Sequence, residues 1–340
     1  MIVSLSRCIL LSLLATSLYS NTNAVVFMYH HFGEDRFPST NIKLEQFQEQ
    51  LNYLEDNHYN IWPLSKILRH VQNKIQIPPK TVALTIDDAY ISVYTHAYPM
   101  LKKKRFPFTV FVNTRPIGHN SVNYMTWDHM REMRRYGVEF ANHSSTHDYL
   151  TPKKDESSLE WKSRIKEELS EAELRLEEEL GTLTNKNPKM LSYPFGEYTQ
   201  ATANYIQSLG YLAITQTSGA ISESTDLRQV PRFAMSEVFA NMEDFKLKLS
   251  TLNLPIESVS PWEPIISKNP PSLKVILQKP LINFSCYISS GEKIAVKQIS
   301  EVEFDLQSNL ALQGPRDRYT CTAVDENNKW YWYSHLWIIK

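Results

Sequence analysis

Thr81-Val82-Ala83-Leu84-Thr85-Ile86-Asp87-Asp88 is a largely apolar run that ends in two adjacent carboxylates. A continuous apolar run reads as a strand covered on both faces, whereas a half-exposed strand would alternate. Similar short runs recur on either side of it, at Val25–Tyr29, Pro107–Asn113, Val138–Asn142, Met190–Tyr193, Tyr211–Thr215 and Gln229–Phe233. Longer amphipathic stretches separate them: Leu44–Asp56, Leu64–Gln72, Tyr94–Lys104, Trp127–Tyr136, Glu156–Leu180 and Ala201–Leu209. The alternation predicts an α/β domain with a parallel sheet, most simply a closed or partly closed (β/α) barrel of about seven strands. The longest helix shows a buried stripe at Trp161, Ile165, Leu169 and Leu176, a solvated charged face, and Gly181 as its C-terminal cap.

After about Leu254 the texture changes. Pro255, Pro261, Pro264, Pro270 and Pro271 predict a stiff linker over 255–271, between a barrel at 25–254 and a smaller module at 272–340. That module carries β-like runs at Leu273–Gln278, Asn283–Ile288, Lys293–Ile299, Glu301–Leu306, Arg318–Val324 and Lys329–Ile339, which read as an all-β sandwich. Tyr319-Thr320-Cys321 places a tyrosine two residues before a cysteine, a spacing seen in immunoglobulin-like sandwiches.

Residues 1–24 read as a secretory signal: Arg7, an apolar stretch from Cys8 to about Tyr19, then a polar segment with cleavage after Ser20 or Ala24. The apolar stretch is short for a membrane span, so the expected location is periplasmic, cell-surface or secreted. Cys8 leaves with the signal. Cys286 and Cys321 remain, and an exported protein is expected to oxidise them into a disulfide. The loop closed, about 35 residues, corresponds to roughly 3 to 4 kcal/mol in the chain-entropy model. The net charge of -1 leaves no strong attraction to nucleic acid or acidic membrane surfaces.

Chemistry concentrates at strand ends. Thr85-Ile86-Asp87-Asp88 ends one run, His143-Ser144-Ser145-Thr146-His147 begins where another stops, and Tyr193-Pro194-Phe195-Gly196 ends a third. In a barrel those ends share one face, the face that carries active sites. An Asp pair alone is more often a turn, and an HxxxH alone is weak. Together at matching strand ends they predict a divalent metal site. Two histidines and one carboxylate leave coordination positions open for water and substrate, as in a catalytic centre. One aspartate would then be a ligand and the other a general base, with backbone N–H groups near Phe195 facing a tetrahedral oxyanion.

These segments resemble the polysaccharide deacetylases with a NodB homology domain, carbohydrate esterase family 4. The match runs from about Val25 to Phe233, on TIDDAY at 85–90, FTVFV at 108–112, MTWD at 125–128, HSSTH at 143–147 and YPFGEY at 193–198. The resemblance implies a distorted (β/α) barrel that hydrolyses N-acetyl groups on GlcNAc-containing glycans. It implies Asp87 as general base, Asp88, His143 and His147 as ligands to one divalent metal ion, and Phe195 as the residue whose amide holds the oxyanion. The metal in such enzymes is often zinc, with nickel, cobalt or iron as alternatives.

Two features depart from the family. An arginine that orients the base is replaced here by Ser192, as in a subset resembling the biofilm poly-N-acetylglucosamine deacetylases, so Asp87 is expected to lack that partner. The late Leu-x-x-His that supplies the acid is also missing; after His147 only His335 remains, inside the β module. His30 or His31, after the first strand, would substitute; neighbours on a strand point opposite ways, so one of the two is expected to face the site, and His30 is favoured because Tyr-His after the first strand resembles the biofilm-type enzymes. Tyr193, Phe195 and Tyr198 are candidate sugar contacts, Trp127 reads as core, and Trp330 and Trp332 form a candidate exposed pair. A glycan-binding or scaffold protein with a weakened site is the competing reading.

Overall fold

The computed structural model describes residues 23–118, 122–181 and 188–339. The expected signal segment lies, apart from Asn23 and Ala24, outside them. Eight parallel strands build the first unit: β1 (Ala24–Tyr29), β2 (Asn60–Ile61), β3 (Thr81–Asp87), β4 (Thr109–Val112), β5 (Glu139–Asn142), β6 (Lys189–Ser192), β7 (Tyr211–Ile214) and β8 (Phe233–Ala234). The sheet order is β8-β1-β3-β4-β5-β6-β7, with β2 lying along the first half of β3. β1 and β3 are buried along their whole length, as the continuous apolar runs require. Ala24 is already paired with Thr81 and is buried, so a signal cleaved after Ala24 would remove a residue of the central strand pair.

Helices α1 (Leu44–Asp56), α2 (Leu64–Gln72), α3 (Tyr98–Lys104), α4 (Trp127–Arg135), α5 (Ser158–Leu180), α6 (Gln200–Ser208) and α7 (Met242–Ser250) complete the unit. α5 buries Trp161, Ile165, Leu169 and Leu176 and ends on Gly181 at φ 60, the left-handed cap its sequence predicts. α7 has no counterpart among the predicted helices. Asn241 caps it by accepting from the Asp244 N–H, and Phe245 stacks 4.7 Å from Phe27.

The predicted strand at Gln229–Phe233 is replaced by a two-residue strand, Phe233–Ala234, preceded by a single bridge. Pro231 has no N–H to continue a ladder. The chain therefore follows β7 at Val230, which bridges Ile214, and then crosses to β1, where Phe233 pairs Phe27. This one segment touches both edges of the sheet and carries Arg232 between them.

The C-terminal unit is a sandwich of two four-stranded sheets. Its strands are β9 (Leu252–Asn253), β10 (Ile256–Ser260), β11 (Ser272–Leu277), β12 (Ile282–Tyr287), β13 (Ala295–Gln298), β14 (Glu303–Gln307), β15 (Arg316–Val324) and β16 (Trp330–Ile338). One sheet runs β9-β16-β15-β12, the other β10-β11-β14-β13. The segment expected to be a linker supplies β10, and β9 comes from the barrel's end. Cys286 and Cys321 are register partners on β12 and β15 and form a disulfide. The Tyr319 hydroxyl donates to Pro271 O and accepts from Ser308 N, pinning the entry to β11 against β15.

Candidate metal centre

β3 delivers Asp87 and Asp88 together because the backbone turns sharply after Asp87. Asp88 and Ala89 both sit at positive φ, 73 and 54. Asp87 is fully buried and Asp88 nearly so. From β5, the HSSTH segment folds back as a turn in which Ser144 (φ 62) and His147 (φ 63) are left-handed. Side chains fix that turn: Asn142 Oδ1 accepts from Ser144 N, Ser144 Oγ accepts from His147 N, and Glu168 of α5 accepts from the amide and hydroxyl of Thr146.

The two imidazoles and the Asp88 carboxylate converge. Asp88 Oδ1 lies 3.4 Å from His143 Nε2 and 3.4 Å from His147 Nε2, and the three donor atoms all lie within 4.8 Å of one another. Asp88 Oδ1 is buried and has no hydrogen-bond partner. An unpartnered buried carboxylate oxygen is costly, and a cation bound by these three side chains would remove that cost. His143 Nδ1 bonds Ser192 O at 2.8 Å, which turns Nε2 toward the centre, as a ligating histidine requires. Two nitrogens and one oxygen suit a divalent transition metal with open positions.

The electrostatics follow from the packing. Burial would raise the Asp88 carboxyl, but the imidazoles beside it, His143 first, hold it well below the carboxylate range. Burial would lower His143, but the adjacent carboxylates of Asp88 and Asp87 turn its pKa upward. His147 is pushed down to about 4, by burial first and then by His143.

Asp87, expected from the sequence to lack an arginine partner, has one. Arg232 donates from Nη1 to Oδ1 at 2.7 Å and from Nη2 to Oδ2 at 2.8 Å, and both residues are fully buried. Its remaining donors reach Thr215 O, Thr85 Oγ1 and Ser192 Oγ. Ser192, where the family places its arginine, donates to Asp87 Oδ2 at 3.2 Å. Burial raises the Asp87 carboxyl, and the Arg232 charge and hydrogen bonds outweigh it, leaving the pKa at about 2. The sequence did hold a signal: an arginine inside the apolar segment Val230-Pro231-Arg232-Phe233 needs a buried partner.

His30 follows β1, is half-buried, and its charge is felt at Asp87, Asp88 and His147. His31 is buried in a ring stack, 3.8 Å from Tyr90 and 4.3 Å from Phe37, with Nδ1 on Thr40 Oγ1. Phe195 sits at φ 58, ψ 4, and its ring meets His147 at 4.6 Å and Tyr149 at 4.4 Å. The Gly196 and Glu197 amides bond back to Tyr193 O and Pro194 O; the Phe195 N–H takes no part in those two bonds. Gly196 (φ 71) must be glycine, since a Cβ there would stand 2.8 Å from Gln216 side-chain carbons.

The other aromatic candidates are corrected. Tyr193 and Tyr198 are buried, stacked on each other, with hydroxyls on Arg228 O and Gln229 Oε1. Neither ring has a face for sugar. Trp332 packs edge-on against Phe233 of the barrel and donates to Ser218 Oγ, so of the candidate tryptophan pair only Trp330 is exposed. The open cleft beside the candidate metal centre, about 470 Å³, is lined instead by Tyr90, Asn113, Arg115, Tyr124 and Thr146, together with Asp88 and His147. Tyr90 and Thr146 lie in the quoted motifs but were given no role, and Asn113, Arg115 and Tyr124 carried no signal, because the approach of all five depends on the turns after β3, β4 and β5.

Residues 74–214 match the family model for polysaccharide deacetylase. A Staphylococcus aureus (strain MSSA476) protein named poly-beta-1,6-N-acetyl-D-glucosamine N-deacetylase is 24% identical over 219 residues, covering 62% of this chain and 73% of that one. The Escherichia coli (strain K12) protein of the same name is 24% identical over 255 residues, covering 65% of this chain but only 38% of that one. Among solved structures, the Streptococcus pyogenes deacetylase PplD in complex with acetate superposes with a TM-score of 0.58 at 25% identity, over 68% of this chain and 99% of that one.

Proposed function

We propose that this chain, whose residues 74–214 match the polysaccharide deacetylase family model, is an exported, metal-dependent enzyme. In this reading it removes N-acetyl groups from a poly-β-1,6-N-acetylglucosamine type glycan. The buried, unpartnered Oδ1 of Asp88, 3.4 Å from two imidazole nitrogens, is the observation that carries the metal dependence. Relatives named for that glycan support the substrate class. The apolar N-terminal segment and the Cys286–Cys321 disulfide support an oxidising, extracytoplasmic location. No helix of the described residues is long and apolar enough to cross a membrane.

Asp88, His143 and His147 would hold the cation, zinc by the family's habit, with nickel, cobalt or iron as alternatives. When bound, the cation supplies Lewis acidity toward the acetyl carbonyl and lowers the pKa of water at the site. Asp87, locked by Arg232 with Oδ2 4.0 Å from His143 Nε2, takes the proton of the attacking water. The Phe195 amide faces the oxygen that gains charge. His30 gives a proton to the departing nitrogen as the C–N bond breaks, so the products are acetate and a free amine.

Acetate release from poly-β-1,6-N-acetylglucosamine, chitin oligomers and peptidoglycan, with and without chelator, tests this reading. We expect chelator-sensitive release on the first. Asp88→Ala and His147→Ala should lose both cation binding and activity, while Asp87→Asn should keep the cation and lose activity. Undiminished release in chelator or in Asp87→Asn would end the proposed mechanism.

A further inference from the structure

The sandwich reaches the turn that follows β6 of the barrel. Arg316 opens β15, paired with Ile338 of β16. Its Nη1 donates to the Phe195 carbonyl, and its Nε stands 3.4 Å from Glu197 Oε1. A single guanidinium from the second unit thus grips both sides of the turn that follows β6.

That turn needs holding. Phe195 lies in the left-handed region, which a residue with a Cβ avoids unless its surroundings impose it. Gly196 is left-handed too, and Gln216 occupies the space against it. Two short backbone bonds, Gly196 N to Tyr193 O and Glu197 N to Pro194 O, close the turn from inside. Arg316 is the clamp from outside. The same turn sets the Phe195 ring against His147, and the proposed mechanism assigns the Phe195 amide of this turn to the reacting carbonyl. A donor to an oxyanion acts only if it is already in place when charge develops.

We propose that Arg316 is a positioning residue, so that the oxyanion-binding turn of the deacetylase barrel is complete only with the C-terminal sandwich docked on it. The inference rests on the deacetylase reading for its kinetic arm. Arg316 acts through the Phe195–Glu197 backbone and touches neither cation nor scissile bond. Removing it should therefore lower kcat and leave KM alone, because the turn is needed more in the transition state than in the bound complex.

The test uses full-length chain loaded with zinc and acetylated β-1,6-glucosamine oligomers. For Arg316→Ala we expect kcat to fall about tenfold or more, a misplacement effect, with KM within about twofold and cation affinity unchanged. Arg316→Lys should recover only part, since one ammonium cannot span carbonyl and carboxylate as a guanidinium does. Free guanidinium at a non-denaturing concentration should restore part of kcat to Arg316→Ala. In parallel, amide exchange at Gly196 and Glu197 should quicken in Arg316→Ala, while the His143 amide, bonded to Val112 O, keeps its protection. An unchanged kcat, a rise in KM alone, or unaltered exchange in the turn would each overturn the proposal. If wild type releases no acetate from any glycan, the deacetylase reading falls, and the exchange measurement still decides whether Arg316 holds the turn.

Discussion

Asp87 and Arg232 are both sealed from solvent, and neither charge is tolerable there without the other. Arg232 carries its charge to five acceptor atoms: Asp87 Oδ1 and Oδ2, Thr215 O, Thr85 Oγ1 and Ser192 Oγ. Removing one partner of such a pair costs about 3 to 5 kcal/mol, mostly for the charge left behind. Arg232→Met should therefore lower stability in urea by about that amount. Adding Asp87→Asn should recover a large part, because the stranded carboxylate is gone. A double variant no more stable than Arg232→Met would show that lost packing, and not the uncompensated charge, carries the cost. Activity should be lost in both. The carboxylates and histidines were legible because each sits in a short motif at a strand end. Arg232 was not, because its partner lies 145 positions earlier and only barrel closure brings them together.

On β16, His335 shows how a strand can set acid sensitivity. The ring is buried 4.3 Å from Trp337, its Nε2 has no hydrogen-bond partner, and Nδ1 meets the Tyr333 hydroxyl at 3.2 Å. Burial pushes its pKa down to about 3. Unfolded, a histidine takes up its proton near pH 6.5. The folded state resists that proton until about pH 3, so its stability falls as pH drops below 6.5 and the loss is complete near pH 3. At pH 5 the loss is about 2 kcal/mol. His335→Leu should remove that share, so wild type and variant should differ by about 2 kcal/mol more at neutral pH than at pH 5 when urea midpoints are compared. Parallel pH profiles would contradict the assignment. At this scale helices were legible wherever the apolar stripe was long, as in α1, α2 and α5. β10 was hidden: Ile256–Ser260 is an edge strand between prolines, mostly open to solvent, so it shows no apolar run.

The two units are less separate than a proline-rich linker would make them. β9 leaves the barrel's last helix and pairs with Tyr331 and Trp332. Leu336 and Ile338 belong to the same apolar cluster as Trp161, Tyr193 and Tyr198 of the barrel, and Ser334 shares a hydrogen bond with Ser218. Sequence alone separated the units by composition; it could not show that the outer face of β16 is apolar because it covers the barrel. Interfaces of that kind couple unfolding. Trp332 is the sharpest probe, since its ring meets Phe233 at 5.5 Å and its Nε1 donates to Ser218. Trp332→Ala should cost about 2 to 4 kcal/mol, somewhat below a fully buried tryptophan. If the units unfold together, amide exchange should quicken in β1 and β3 of the barrel as much as in β11 of the sandwich, because every amide then reports one global opening. Independent units would show the increase in one set of strands only, and β1 and β3, far from the substitution in sequence, are where that distinction is decided.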